Sequence, residues 1–325
     1  MSENLLVVID SNSDKLVYEG GSNGRWTTKS GTQWYGNSSA WSGTASGSIH
    51  ITFTGNTVAF YGHSPPLEQS QEMTVTIDEQ KSYKTDFPAD NAGSYCQWWQ
   101  SPTLDDGTHT ILLEGLTRTS LDFVVVTVND TSVRKGQQVI VDDDDASIIY
   151  HGDWSRNIGP FTSHGGELVS FPFHNATHQS TTVGSSVSFN FTGSSIAVYG
   201  SLSAGVPGSI TARYTLDSNV TTSKYDRPEN PPQANAVLAL RNFLFYSNGS
   251  LDAGDHTLLI EIEDVQSLTY DLDYIVFTHK PTLIRDTHLQ YIVKNDNNSS
   301  FFLFLFLFFN FVFIFERGHH THYHP

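Results

Sequence analysis

The feature that most constrains this chain is an internal duplication. The run Leu121-Asp122-Phe123-Val124-Val125-Val126-Thr127-Val128 returns as Leu272-Asp273-Tyr274-Ile275-Val276-Phe277-Thr278-His279. Each copy is β-branched and aromatic, opens on Leu-Asp and closes a longer block that also repeats, so it reads as the last strand of a duplicated β-domain. The openings match as well: Val7 to Asp10, then Tyr18 and Trp26, correspond to Val139 to Asp142, then Tyr150 and Trp154. Between them, Gly47 to Gly62 pairs with Gly184 to Gly200, and Gly107 to Glu114 with Gly254 to Glu261. Ile49, Ile51 and Phe53, like Val187, Phe189 and Phe191, alternate with polar residues, which sends one face to a core and the other to solvent. The Thr-Gly pair that follows each run predicts a turn, and hence a hairpin.

The spacing between copies widens along the chain, which places insertions in loops. No sustained 3.6-residue apolar stripe occurs, so helices should be few and short. The expectation is an all-β protein: two tandem antiparallel β-sandwich domains of the jelly-roll kind, residues 1–133 and 134–280. A polar spacer (281–300), an apolar run (301–315) and a His-rich tail (316–325) follow. As a helix the apolar run would span about 22 Å, short of a ~30 Å hydrocarbon core, so a membrane anchor and a low-complexity tail both stay open.

At 325 residues the chain suits two sandwiches, each able to bury a core without staples, and its single cysteine, Cys96, cannot form an internal disulfide. The formal net charge of -17 repels phosphate backbones and excludes nucleic acid as a partner. Few charged residues and many aromatics suit neutral polar ligands. Asn37, Asn129, Asn175, Asn190, Asn219, Asn248, Asn297 and Asn298 each open an Asn-x-Ser/Thr acceptor, which favours the secretory pathway and an extracellular or cell-surface location. The first residues show neither a basic stretch nor a long apolar one, so no cleavable signal is visible there.

Five of the six tryptophans lie in the first repeat. Trp26 and Trp154 recur and therefore read as core residues. Trp34, Tyr35, Trp41, Trp98 and Trp99 do not recur, and they are the candidates for stacking on the apolar face of a sugar. The competing reading is that one of each adjacent pair faces the core. Asp142 to Asp145 could supply oxygen ligands to calcium, although alternate side chains of a strand point to opposite faces and a solvated acidic turn outweighs that reading. His109 and His256 recur in Gly-x-His-Thr without a second ligand at metal-binding spacing, and read as strand residues. Glu114 with Asp122, or Glu261 with Asp273, could pair carboxylates across strands as glycosidases do, but duplication favours a fold feature over two active sites.

These motifs together resemble the tandem galactose-binding-like jelly-roll ectodomains of mushroom-forming fungi. They are the Tyr-x-Gly opening with its Trp, the Phe-x-Phe-Thr-Gly block ending in Tyr-Gly, the Gly-x-His-Thr strand and the Leu-Asp-Phe/Tyr ending. The resemblance covers about residues 5–280 and implies a surface location, with one transmembrane segment after the two domains. The Leu272-Asp273-Tyr274-Ile275 ending is also similar to carbohydrate-binding modules of this fold, which bind sugars on aromatic platforms and often hold a structural calcium. That resemblance implies Asp142, Asp143 and Asp273 as calcium ligands. The resulting expectation is a non-catalytic surface or secreted protein binding neutral glycans through loop aromatics of the first domain. The alternatives are a structural or adhesive protein that binds a cell-surface protein, and a glycan-active hydrolase.

Overall fold

A computed structural model describes residues 4–129, 136–162, 169–202, 207–227 and 240–280. The protein is all-β, and among the described residues the only helical elements are single 3₁₀ turns. In the first repeat, the strand Asn4–Asp10 pairs antiparallel with Phe123–Asn129, which pairs with Thr57–His63, which pairs with Tyr95–Gln100. Facing these strands is a five-stranded sheet in the order Leu16–Gly20, Gly47–Gly55, Gly107–Leu116, Glu72–Ile77, Tyr83–Asp86. Ile49, Ile51, Val75, Ile111 and Leu113 from one sheet meet Val58, Phe60, Val124 and Val126 from the other in a closed core. The alternation read from Gly47 to Gly55 is therefore the inward and outward pleat of one sandwich wall.

The expected hairpin is corrected by the structure. In the second repeat the whole block is one strand of 17 residues, Ser186–Leu202. Its first half pairs with Ile148–His151 and Gly254–Gln266, and its second half with Leu240–Asn248 and Tyr270–His279. The first repeat cuts the same segment into Gly47–Gly55 and Thr57–His63, which belong to different sheets and do not pair with each other. The Thr-Gly step is thus a corner at which the chain passes between sheets, not a turn that folds it back. Glycine is needed there because the corner lies against the closing strand: a Cβ on Gly193 would stand 2.6 Å from the Thr278 carbonyl oxygen, and one on Gly55 would overlap that of Thr127.

The repeats do not stand apart. Asn4–Asp10 also pairs with Gln138–Asp142, in the register Leu6↔Ile140, Val7↔Val139, Val8↔Gln138, and Gln138–Asp142 pairs in turn with Tyr270–His279. One sheet therefore runs from the first repeat into the second, and residues 1–281 form a single compact unit. The shared sheet is buried on both faces. Val7, Val124, Val126 and Val139 point into the sandwich cores, while Val8, Phe123, Val125, Ile140, Tyr274 and Val276 join Trp34, Tyr35, Tyr61, Tyr95 and Phe173 in a second cluster across the seam. Burial on both faces is why the closing strands read as unbroken apolar runs. The predicted spacer, apolar run and tail (281–300, 301–315, 316–325) lie outside the described residues, as do Asn297 and Asn298. Among the described residues no helix is long and apolar enough to cross a membrane.

The recurring aromatics and histidines have matched roles. Trp26 packs on Tyr18 at 5.1 Å and Trp154 on Tyr150 at 5.2 Å, each at the rim of its core. His109 bonds Asp78 at 2.7 Å and the Asp105 carbonyl at 2.7 Å, and His256 bonds Asp217 at 2.8 Å and the Asp252 carbonyl at 2.8 Å. In both copies the same aspartate accepts the next backbone N–H, from Thr110 or Thr257, and so closes the turn before the strand. Burial works against charge on these imidazoles, but the carboxylate and carbonyl bonds outweigh it and raise their pKa above 6.5. Asp78 is lowered by the Thr110 N–H and then by His109, and Asp217 by His256 and then by the Thr257 N–H.

A Cβ at Gly200 would overlap the Asp271 carbonyl oxygen, so Gly200→Ala should lower stability in urea unfolding by about 1–3 kcal/mol. The histidine contribution to stability is full below 6.5, the unfolded value, and is lost as pH rises through the raised folded pKa. The aspartate contribution is present above 3.8 and lost as pH falls. Thermal melts of a His109→Gln/His256→Gln double variant should therefore lose part of the wild type's decline as pH rises above 6.5.

Candidate functional site

A cleft of about 710 Å³ opens beside the seam, lined by Gln33, Trp34, Trp41, Gly43, Thr44, His63, Ser64, Pro66, Gly93, Arg118 and Arg241. Trp34 precedes the 3₁₀ turn Tyr35–Asn37, and Trp41 ends the short strand Ser38–Trp41 that leaves it. Their rings meet edge to face at 5.9 Å, and His63 lies 5.3 Å from Trp34 and 5.1 Å from Trp41. Ten of the lining residues belong to the first repeat, and the second supplies Arg241 from the strand Leu240–Asn248. The Arg241 guanidinium lies over the Trp34 ring at 4.7 Å and over the Tyr95 ring at 4.2 Å, with the side chain only 5% exposed. Burial, and then the Arg241 charge, hold His63 down at about 3, so its imidazole is neutral at physiological pH.

Behind the cleft a polar network ties the repeats together. Asp122 Oδ2 accepts the Tyr95 hydroxyl at 2.7 Å and the Asn242 Nδ2 amide at 3.1 Å, and Asn242 Oδ1 accepts the Tyr274 hydroxyl at 2.9 Å. Asn242 Nδ2 also donates to the Gln33 carbonyl at 3.2 Å. Burial pushes Asp122 well above the usual carboxylate range, against the lowering effect of the Tyr95 bond. In the second repeat, Asp273 Oδ1 accepts the Phe173 N–H at 2.9 Å, at the head of the 3₁₀ turn Phe173–Asn175. Tyr35 occupies the corresponding place beside Asp122. The aspartate of the Leu-Asp-aromatic signature is thus a buried brace for an equivalent turn in each repeat. Arg241, Asn242, His63 and Arg118 were not singled out by the sequence. The one hint was a polar pair, the cationic Arg241 and the neutral amide Asn242, opening an apolar, mostly aromatic stretch, Phe243 to Tyr246.

The other aromatic candidates lie elsewhere. Tyr35 is buried in the seam, its hydroxyl donating to Gln138 Oε1 at 2.8 Å and its ring packed on Phe123 and Tyr199, so it binds the repeats to each other. Trp98 and Trp99, both candidates for stacking on a sugar, are both core residues. The register passes from Phe60↔Trp99 to Tyr61↔Gln97, leaving Trp98 as the extra residue of a β-bulge, and the bulge turns consecutive indoles into one core. Trp98 Nε1 donates to the Ser120 carbonyl at 3.1 Å.

The acidic run does not assemble an oxygen-only shell. Asp142 Oδ2 bonds His174 Nδ1 and Asp143 Oδ2 bonds His178 Nδ1, both at 2.7 Å, while Asp273 is engaged by the Phe173 N–H. Asp144 is held by Arg156, whose Nε lies 2.8 Å from each carboxylate oxygen. Among the described residues the one set whose ligand atoms converge, within 4.8 Å, is Asp143, Asp144 and His178. An imidazole in so small a set does not fit calcium, which takes six to eight oxygens. Burial, and then the neighbouring Asp142, push Asp143 upward, and burial does the same to Asp273. The suggested carboxylate pairs also fail to converge. Glu114 is exposed on a strand of the five-stranded sheet while Asp122 is buried beside the seam, and Glu261 is paired with Arg213 at 2.7 Å while Asp273 is buried. Of the candidate acceptors, Asn37, Asn175, Asn190 and Asn219 are exposed, and Asn129 and Asn248 are half-buried.

No family model matches the chain. The A type blood α-D-galactosamine galactosaminidase of Flavonifractor plautii is 23% identical over 278 residues, covering 83% of this chain and 22% of that protein. The chain thus spans about a fifth of the length of the curated relative it matches. Among solved structures it is similar to a xanthan lyase from Paenibacillus, at 13% identity over 85% of this chain and 25% of that one, with a TM-score of 0.30. It is also similar to an exo-β-1,3-galactanase from Phanerochaete chrysosporium with galactose, at 17% identity over 37% of this chain and 29% of that one, with a TM-score of 0.28. The expectation that the chain is not an enzyme is corrected by the match to a glycosidase.

The network behind the cleft makes one prediction. Asn242→Ala removes partners from the Tyr274 hydroxyl and from Asp122 at once, so urea unfolding should report a loss of about 1–3 kcal/mol.

Proposed function

We propose that this chain is glycan-active, working as or within a glycoside hydrolase, and that the cleft beside the seam is where the sugar is held. The observation that carries this reading is the cleft itself: a concave site of about 710 Å³ with the indoles of Trp34 and Trp41 in its wall and polar groups from both repeats at its edge. The Trp41 indole supplies a flat apolar face for the C–H face of a pyranose, backed by the buried Trp34, and Gln33 and Thr44 offer donors and acceptors to its hydroxyls. The glycosidase relative supports the catalytic part of the reading.

The test is to incubate the full chain with a panel of α- and β-linked oligosaccharides, following released reducing ends together with tryptophan fluorescence. The reading expects product from at least one glycan, a fluorescence change on binding, and about tenfold weaker binding by Trp41→Ala, the loss of one stacking contact. Absence of both product and binding across the panel would overturn it.

A further inference from the structure

We infer that the cleft takes an anionic saccharide, a pyranose carrying a carboxylate, with Arg241 as its charge partner. This deepens the glycan reading above and rests on it. The chain carries 34 acidic residues against 17 basic ones, yet among the described residues the cleft is lined by Arg118 and Arg241 and by no carboxylate. Such a reversal of sign makes a local anion site on an otherwise repelling surface.

Arg241 is the unusual member. It is almost wholly buried, and among the described residues its Nε has no hydrogen-bond partner and no carboxylate forms an ion pair with it. The neighbouring Asp122 spends Oδ2 on the Tyr95 hydroxyl and the Asn242 amide instead. The aromatic faces of Trp34 and Tyr95 and the nearby Asp122 compensate part of the charge but leave Nε unpaired. Removing a guanidinium from water is costly unless its donors are satisfied, and a carboxylate is the bidentate partner that this fork fits. Arg118 stands exposed at the mouth as a second cation, and neutral His63 adds no competing charge. The same two cations oppose an ammonium group, so an amino sugar such as galactosamine is the wrong ligand for this cleft.

The experiment titrates the full chain by calorimetry with oligogalacturonate and oligoglucuronate, with neutral galactose and glucose oligomers of equal length, and with galactosamine. A uronate should bind at least about tenfold more tightly than its neutral counterpart, with affinity falling as salt rises, and galactosamine should bind most weakly. Arg241→Gln should erase the uronate advantage. Because that position is buried, Arg118→Asn serves as the second variant: the residue is exposed, with a φ of 52° that asparagine tolerates, and the change should reduce the advantage in a folded protein. Neutral oligomers binding as well as uronates, or a uronate advantage unchanged in both variants, would overturn the anionic assignment and leave the glycan reading standing. No saccharide binding at all would overturn both.

Discussion

The pairing of Asn4–Asp10 with Gln138–Asp142 is the contact on which the rest of this structure depends. It spans three residue pairs, but it sets two sandwiches in one continuous sheet and fixes the register of each closing strand relative to the other. Once that sheet is continuous, its outer face cannot be left to solvent, because Val8, Phe123, Val125, Ile140 and Tyr274 all point there. Tyr35 and Phe173 cover it, and the repeats become one body with a second core between them.

The same seam explains why the candidate site lies where it does. The strand Leu240–Asn248 is brought against the first repeat, so Asn242 reaches Asp122, Tyr95 and the Gln33 carbonyl, and Arg241 comes to rest on two aromatic faces. A buried amide with several partners is a strong positional constraint, since any shift leaves a polar group unpaired. The arginine is therefore presented to the cleft by a network that does not itself enter it. The duplication supplied the scaffold, and residues without counterparts in the other copy, Trp34, Trp41 and Arg241, line the cleft.

Much of the fold was legible because β-structure writes its pleat into sequence. The alternation of Ile49, Ile51 and Phe53 named an inward face, and the duplicated Leu-Asp runs named the closing strands. The Thr-Gly step misled, because a corner between sheets and a hairpin turn use the same small, permissive residue, and which one forms depends on strands far away in sequence. Trp98-Trp99 misled for a related reason: one extra residue in a bulge breaks the two-residue period, and the partner that reveals it is Phe60. Trp34 and Trp41 could be picked out as unshared aromatics, whereas Arg241 could not, since its burial is created by the approach of one repeat to the other.

The seam has a consequence for the order in which the chain is made. Asn4–Asp10 is made well before both of its sheet neighbours, Phe123–Asn129 and Gln138–Asp142, which are synthesised more than a hundred residues later. Until then a strand reading Leu-Leu-Val-Val-Ile has open backbone donors and acceptors along both edges and apolar side chains on both faces. The nascent protein therefore carries a self-adhesive segment unpaired until residue 142 leaves the ribosome, and in that interval another copy can take the place of the native partner.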